Sequence, residues 1–201
     1  METGDTREKI LQAAIDEFTE YGYEGARMAR IAKRAGVSQA LIYYNFDSKQ
    51  AILEEIIAGF LQANVDHIGN IYPPPSIDAT GEQILDAGLH NSLDFILERR
   101  KEVSILLMQA ILKTDENKQV LTIFNEINQK IRDITLKNLG YRLDQLDGPN
   151  RKVIDYFFIF MPFIMFGVLG EEWARENKVG MDEANAAMIE AVKNIYNCYI
   201  R

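Results

Sequence analysis

Between Gln39 and Asn45 the chain sets out two amides, two adjacent phenols and three apolar groups in seven residues, QALIYYN. Amides pair with adenine edges, apolar groups meet thymine methyls and phenols donate to phosphate oxygens. Arg27, Arg30, Lys33, Arg34 and Lys49 surround this stretch, while Gly25 to Lys49 holds one acid, Asp47. The window therefore carries 5 − 1 = +4 in a chain of net charge −8, which leaves −12 for the remainder. A polyanion meets the local potential, within about a Debye length of 10 Å, rather than the sum. This combination fits contact with duplex nucleic acid rather than bond making and breaking.

The groups that catalysis needs are sparse. Two histidines, His67 and His90, and one cysteine, Cys198, are too few for an all-His/Cys zinc site within one chain. There is no glycine-rich phosphate loop and no GxSxG. Glu54-Glu55 and Glu171-Glu172 are adjacent pairs that diverge by about 100° on a helix, which suits them poorly to shared acid–base work. No enzyme activity, metal or cofactor is expected. The single cysteine fits a reducing cytoplasm, and METGDTREKILQAAIDEF lacks the basic-then-apolar order of a secretory signal. The most apolar run, Tyr156 to Leu169, has 14 residues, against the roughly 20 needed to cross a bilayer. No membrane partner is expected.

Helices must position these groups, because helical periodicity is nearly continuous and no period-two stretch reads as a strand. A first helix, capped by Asp5 or Thr6, carries Ile10, Leu11, Ala14, Ile15 and Phe18 on one stripe and stops at Tyr21-Gly22. A second spans Arg27 to Arg34 and ends at Ala35-Gly36; Ser38 caps a third that runs to Asn45. Ala32 and Ala35 allow close approach, Gly36 supplies a positive φ, and Ile31, Val37 and Ile42 fill a small core. That is a helix-turn-helix whose last helix turns Gln39, Ala40, Leu41, Tyr43, Tyr44 and Asn45 largely outward. Lys49 stands at the start of a fourth helix, where the macrodipole disfavours a cation unless a phosphate joins it.

The stretch from Thr6 to Leu53, with TREKILQAAIDEFTEYGYEG, RIAKRAGVSQALIYYNFDSK and AIL, resembles the DNA-binding domain of the TetR family of transcriptional regulators. The resemblance implies that Gln39, Ala40 and Leu41 lie against base edges, that Tyr43, Asn45 and Lys49 hold phosphates, and that Tyr44 does either. Gly25-Ala26-Arg27 departs from the family's usual Ser or Thr at the start of the second helix, so Arg27 replaces the phosphate contact but not the cap. Leu41 stands where a small hydroxyl residue is common.

The expected architecture is all-α, with about nine helices. Residues 1–47 form a three-helix DNA-binding head; residues 48–201 form an effector-binding and dimerisation body, of which 48–72 is the connecting helix. Pro73-Pro74-Pro75 marks the boundary after it. The apolar run needs cover on both sides. The stripe Ala184, Ala187, Met188, Ala191, Ile195 and Tyr199, together with Met165, offers a two-fold helical interface. A homodimer would present two recognition helices about 34–36 Å apart to a palindromic operator. Asn91, Phe95, Met108, Asn128, Phe160 and Met161 are the candidate pocket, for which the resemblance implies a small apolar or aromatic effector. The alternatives are an effector-independent DNA-binding regulator, or a small-molecule binding protein or enzyme with a vestigial head.

Overall fold

The computed structural model describes residues 3–70, 80–112, 118–140 and 148–200. The proline triplet at 73–75 and the side chain of Tyr199 lie outside the described residues. The fold is all-α: α1 Thr3–Gly25, α2 Met28–Ala35, α3 Gln39–Asn45, α4 Lys49–Asn70, α5 Gly81–Glu98, α6 Arg100–Ile111, α7 Lys118–Asn138, α8 Pro149–Val153, α9 Met161–Asn177 and α10 Met181–Ile200. A π-helical segment, Ile154–Phe160, joins α8 to α9, so that Pro149–Asn177 runs as one helix of 29 residues. Counted in that way there are nine helices among the described residues.

The chain divides into two compact units: residues 1–63 with 101–117, and residues 64–100 with 118–201. The expected break at 47/48 falls inside the first unit, and α4 contributes to both.

In the first unit Ile10, Ala14 and Phe18 of α1, Ile31 and Ala32 of α2, Ile42 of α3, Phe46, and Ile52, Leu53 and Ile56 of α4 form one buried cluster, joined by Ile105 of α6. These are the apolar stripe positions, spaced so that each helix turns one face inward. α1 begins at Thr3, two residues before Asp5, and its helical geometry breaks at Gly22 (φ 69°, ψ 164°). Only glycine takes that conformation without strain.

In the second unit a capping box opens α5: Thr80 Oγ1 accepts from the Gln83 N–H, and Gln83 Oε1 accepts from the Thr80 N–H. α9 packs on α5 and α10, and the π segment on α7 and α10. Phe163, Ile164, Gly167, Gly170 and Ala174 form the buried face of α9. The apolar run of 14 residues lies within this longer helix of 29. An 18-residue window of Pro149–Asn177 has mean hydropathy 2.0, long and apolar enough by length and composition to cross a membrane. The same helix holds a buried ion pair, with Arg151 Nε 2.9 and 3.1 Å from the two Asp155 carboxylate oxygens. Such charges are expensive in hydrocarbon. Only 39% of that window is buried, so much of its apolar surface faces out of the unit.

Candidate nucleic-acid interface

The connection from α2 to α3 is a Schellman turn. Gly36 is left-handed (φ 67°, ψ 30°), the Val37 N–H donates to Ala32 O at 3.0 Å and the Gly36 N–H to Lys33 O at 3.4 Å. Ser38 then caps α3, its Oγ accepting from the Leu41 N–H at 3.2 Å. Ile42 is fully buried and Phe46 nearly so, which anchors α3 from below. On the opposite side Gln39, Ala40, Leu41, Tyr43 and Tyr44 are exposed, Tyr44 to 81%. A phenol that open to water has no packing role within its own unit.

Asn45 is half-buried and already engaged. Its Nδ2 donates to Leu41 O at 2.8 Å, and its carbonyl accepts from Arg7 Nη1 at 2.7 Å. Arg7 also pairs with Glu55 of α4 and lies 4.2 Å over the Phe46 ring. One guanidinium from α1 thereby fixes both the end of the exposed helix and the start of the next.

The basic window is less free than its count implies. Glu17 of α1 has a fully buried side chain. Its Oε1 accepts from Arg30 Nε and, at 3.3 Å, from the Arg27 N–H; its Oε2 accepts from Arg34 Nε at 3.2 Å. Arg34 also pairs with Glu20, whose carboxyl the Tyr21 hydroxyl and Arg34 hold below its usual range. Arg30 reaches Gly25 O at 2.6 Å and lies 4.1 Å over the Tyr21 ring. Lys49 points at the end of α1, with Nζ 2.6 Å from Tyr23 O, 3.3 Å from Ala26 O and 3.4 Å from Glu24 O. The side chains of Arg27 and Lys33 are exposed. A count of charges along the chain cannot see these pairings. Glu17 nonetheless signalled itself: it is a carboxylate one position from Phe18, beside the apolar stripe, where burial demands a cationic partner.

The candidate pocket residues do not come together in one unit. Asn128 and Phe160 are buried in the second unit, with Phe160 6.0 Å from the Phe124 ring, edge on. Asn91, Phe95 and Met161 are half-buried there. Met108 lies in the first unit and is 52% exposed, because α6 turns Val103, Ile105 and Leu106 inward. Of the interface candidates, Met165, Ala187 and Ala191 are exposed, and Met188 and Ile195 are half-buried. Ala184 is buried, with 3% exposure, and Ile189, Val192 and Tyr196 of the same helix are buried as well. Among the described residues no group of three His, Cys, Asp or Glu is arranged to hold a metal ion.

Residues 10–56 match the sequence profile described as "Bacterial regulatory proteins, tetR family". The chain is 33% identical over 111 residues to the HTH-type transcriptional regulator YvdT of Bacillus subtilis, itself uncharacterized, covering 55% of each chain. Over 65 residues it is 37% identical to IcaR, the negative regulator of the biofilm operon icaADBC in Staphylococcus aureus, covering 32% of this chain and 33% of the relative. The chain thus spans about half, or less, of the length of these curated relatives. Its fold matches a TetR-family regulator from Bordetella parapertussis 12822 (TM-score 0.71, 18% identity, 96% of this chain and 95% of that one). It also matches the fatty acid degradation regulator FadR from Bacillus halodurans (TM-score 0.65, 19% identity, 97% and 96%). The N-terminal helices thus carry the tetR-family profile over residues 10–56, and the chain shares its fold with solved TetR-family regulators.

Proposed function

We propose that the protein is a cytoplasmic, sequence-specific DNA-binding transcriptional regulator, and that α3 is its recognition helix. One observation carries this reading: Gln39, Ala40, Leu41, Tyr43 and Tyr44 stand exposed on a helix pinned from beneath by Ile42 and Phe46. In the major groove Gln39, Ala40 and Leu41 meet base edges, while Tyr43 and Arg27 reach phosphates and Tyr44 serves either role. Asn45 and Lys49 hold a phosphate only by exchanging partners they already have. The functional unit is a homodimer on a palindromic operator, joined through the exposed apolar faces of α9 and α10. It acts as a repressor, and a small apolar or aromatic ligand entering the second unit's core, near Asn128 and Phe160, releases it.

Selection from a random duplex library with the full-length protein tests the DNA-binding reading. An inverted repeat should be enriched. Tyr44→Ala should then weaken binding to it by at least about tenfold, the scale of one to a few kcal/mol for a lost base contact, with an unchanged melting temperature. No enriched sequence, or full affinity in Tyr44→Ala, contradicts it.

A further inference from the structure

The start of α2 lacks a side-chain cap, since Arg27 occupies the cap position (φ −126°, ψ 132°) and makes no cap hydrogen bond with its side chain. The Glu17 carboxylate, brought in from α1, accepts from the Arg27 N–H instead. It also places a negative charge at the end of α2 where the helix dipole is positive. Two of the three arginines in the basic window, Arg30 and Arg34, converge on the same carboxylate from successive turns of α2. A buried carboxylate is tolerated only with such partners, and here the partners come from the helix that it caps.

We infer that Glu17 is a positioning residue for DNA reading: it replaces the missing cap of α2 and ties Arg30 and Arg34 inward, so that these arginines set the angle of the helix-turn-helix and do not touch phosphate. Two consequences follow from the geometry. Within the apolar core that α1 and α2 share, this carboxylate gathers the polar ties between them, with Arg34–Glu20 and Arg30 on Gly25 O beside it, and so helps to set the presentation of α3. Withholding two guanidinium groups from the backbone also lowers sequence-independent affinity, which is electrostatic, without lowering base readout. Specificity is a difference between the two affinities, so masking cations raises it.

This inference rests on the DNA-binding reading, and a selection that enriches nothing removes that reading before Glu17 is tested. Given an enriched operator, the full-length protein is titrated by fluorescence anisotropy against that duplex and a random-sequence duplex between about 50 and 200 mM salt. Glu17→Gln should weaken operator binding at least about tenfold and strengthen random-duplex binding, with the random-duplex log–log salt slope steeper by roughly one per released guanidinium. A parallel fall in both affinities, as simple misfolding would give, or no change in either, overturns the inference. Arg34→Gln supplies the second arm, because it keeps the core carboxylate and its Arg30 partner. Its operator slope should equal that of the unchanged protein. A slope shallower by about 0.9 per subunit would make Arg34 a phosphate contact and overturn the inference even if Glu17→Gln does not fold.

Discussion

The Lys49 ammonium lies 2.6 Å from the Tyr23 carbonyl oxygen and 4.4 Å from the centroid of the Tyr23 ring. A cation in the first turn of α4 is unfavourable toward its own helix dipole. Here it faces the carbonyls that close α1, where a cation is favourable. Tyr23 is held in turn by its hydroxyl, which donates to Gln50 Oε1 at 2.8 Å, and by edge contact with Phe18 at 5.5 Å. Lys49→Met, which keeps the aliphatic stem, should lower the stability of the free protein by about 2 kcal/mol, the scale of hydrogen bonds to a charged group. Urea unfolding without DNA measures this. An unchanged midpoint would return Lys49 to a purely DNA-facing role.

Gly167 of α9 packs directly beneath Ile96 of α5, and a Cβ at 167 would overlap Ile96 Cγ2. Gly167→Ala should therefore destabilise the second unit by about 1–3 kcal/mol, although alanine is the better helix former. Ile96→Ala removes the obstructing methyl. The double variant should show a favourable coupling of about 1 kcal/mol or more in a thermodynamic cycle. Additive effects would mean that the two helices do not meet there.

What the sequence reveals of this fold depends on the range of the interaction. The Gly36 turn, the Ser38 cap and the inward Ile31 and Ile42 are local, and each was readable within a few residues of itself. Residues whose partners lie far along the chain were not readable in that way. Lys49 meets carbonyls 23 to 26 residues away, and Arg7 meets Glu55 across 48 residues. The π geometry of 154–160 also left no trace, because IDYFFIF has the composition of an ordinary buried helix. The exposure of Met108 and the burial of Ala184 are hidden for a related reason: periodicity says which residues share a face, but not which face turns inward.

Arg151 and Asp155 form a buried pair at the start of the π segment, flanked by the charges of Arg132 and Asp133. Burial pushes the Asp155 carboxyl above its usual pKa, against the pull of Arg151. Asp155→Asn leaves the guanidinium without its carboxylate and should cost about 3–5 kcal/mol. Replacing both residues, Arg151→Met with Asp155→Leu, should restore stability to near the starting value or above it. Chemical unfolding of the three proteins checks the order. A double variant as unstable as Asp155→Asn would show that the pair contributes net stability.

His67 stacks on Phe95 at 4.3 Å with an interplanar angle of 18°, and its Nε2 is buried without a hydrogen-bond partner. Burial lowers its pKa from the ordinary 6.5, with Glu98 opposing. The unfolded chain then binds a proton near pH 6.5 that the folded chain refuses, so stability present at neutral pH is lost as pH falls through that range. The melting temperature should drop between about pH 7.5 and 5.5, and it should drop less in His67→Phe. Comparing the two proteins separates His67 from the carboxylates. Identical slopes would exclude it as the source.

The homodimer proposed above makes its own demand on α9. Met165, Leu169 and Trp173 succeed one another at four-residue intervals and are 40%, 50% and 52% exposed, while α10 exposes the small residues Ala187 and Ala191 between Glu183, Glu190 and Asn194. Large side chains on one helix beside small ones on the next suit close pairing of helices across a two-fold axis. Leu169→Glu places a charge in that seam and should convert the dimer to monomer in sedimentation at micromolar concentration. Its operator affinity should fall by orders of magnitude, because each half-site is then read alone. Leu121→Glu, at a position on α7 exposed to 47%, provides the control and should leave the assembly intact. If Leu169→Glu still sediments as a dimer, the subunits meet through another surface, and the apolar face of α9 needs a different partner.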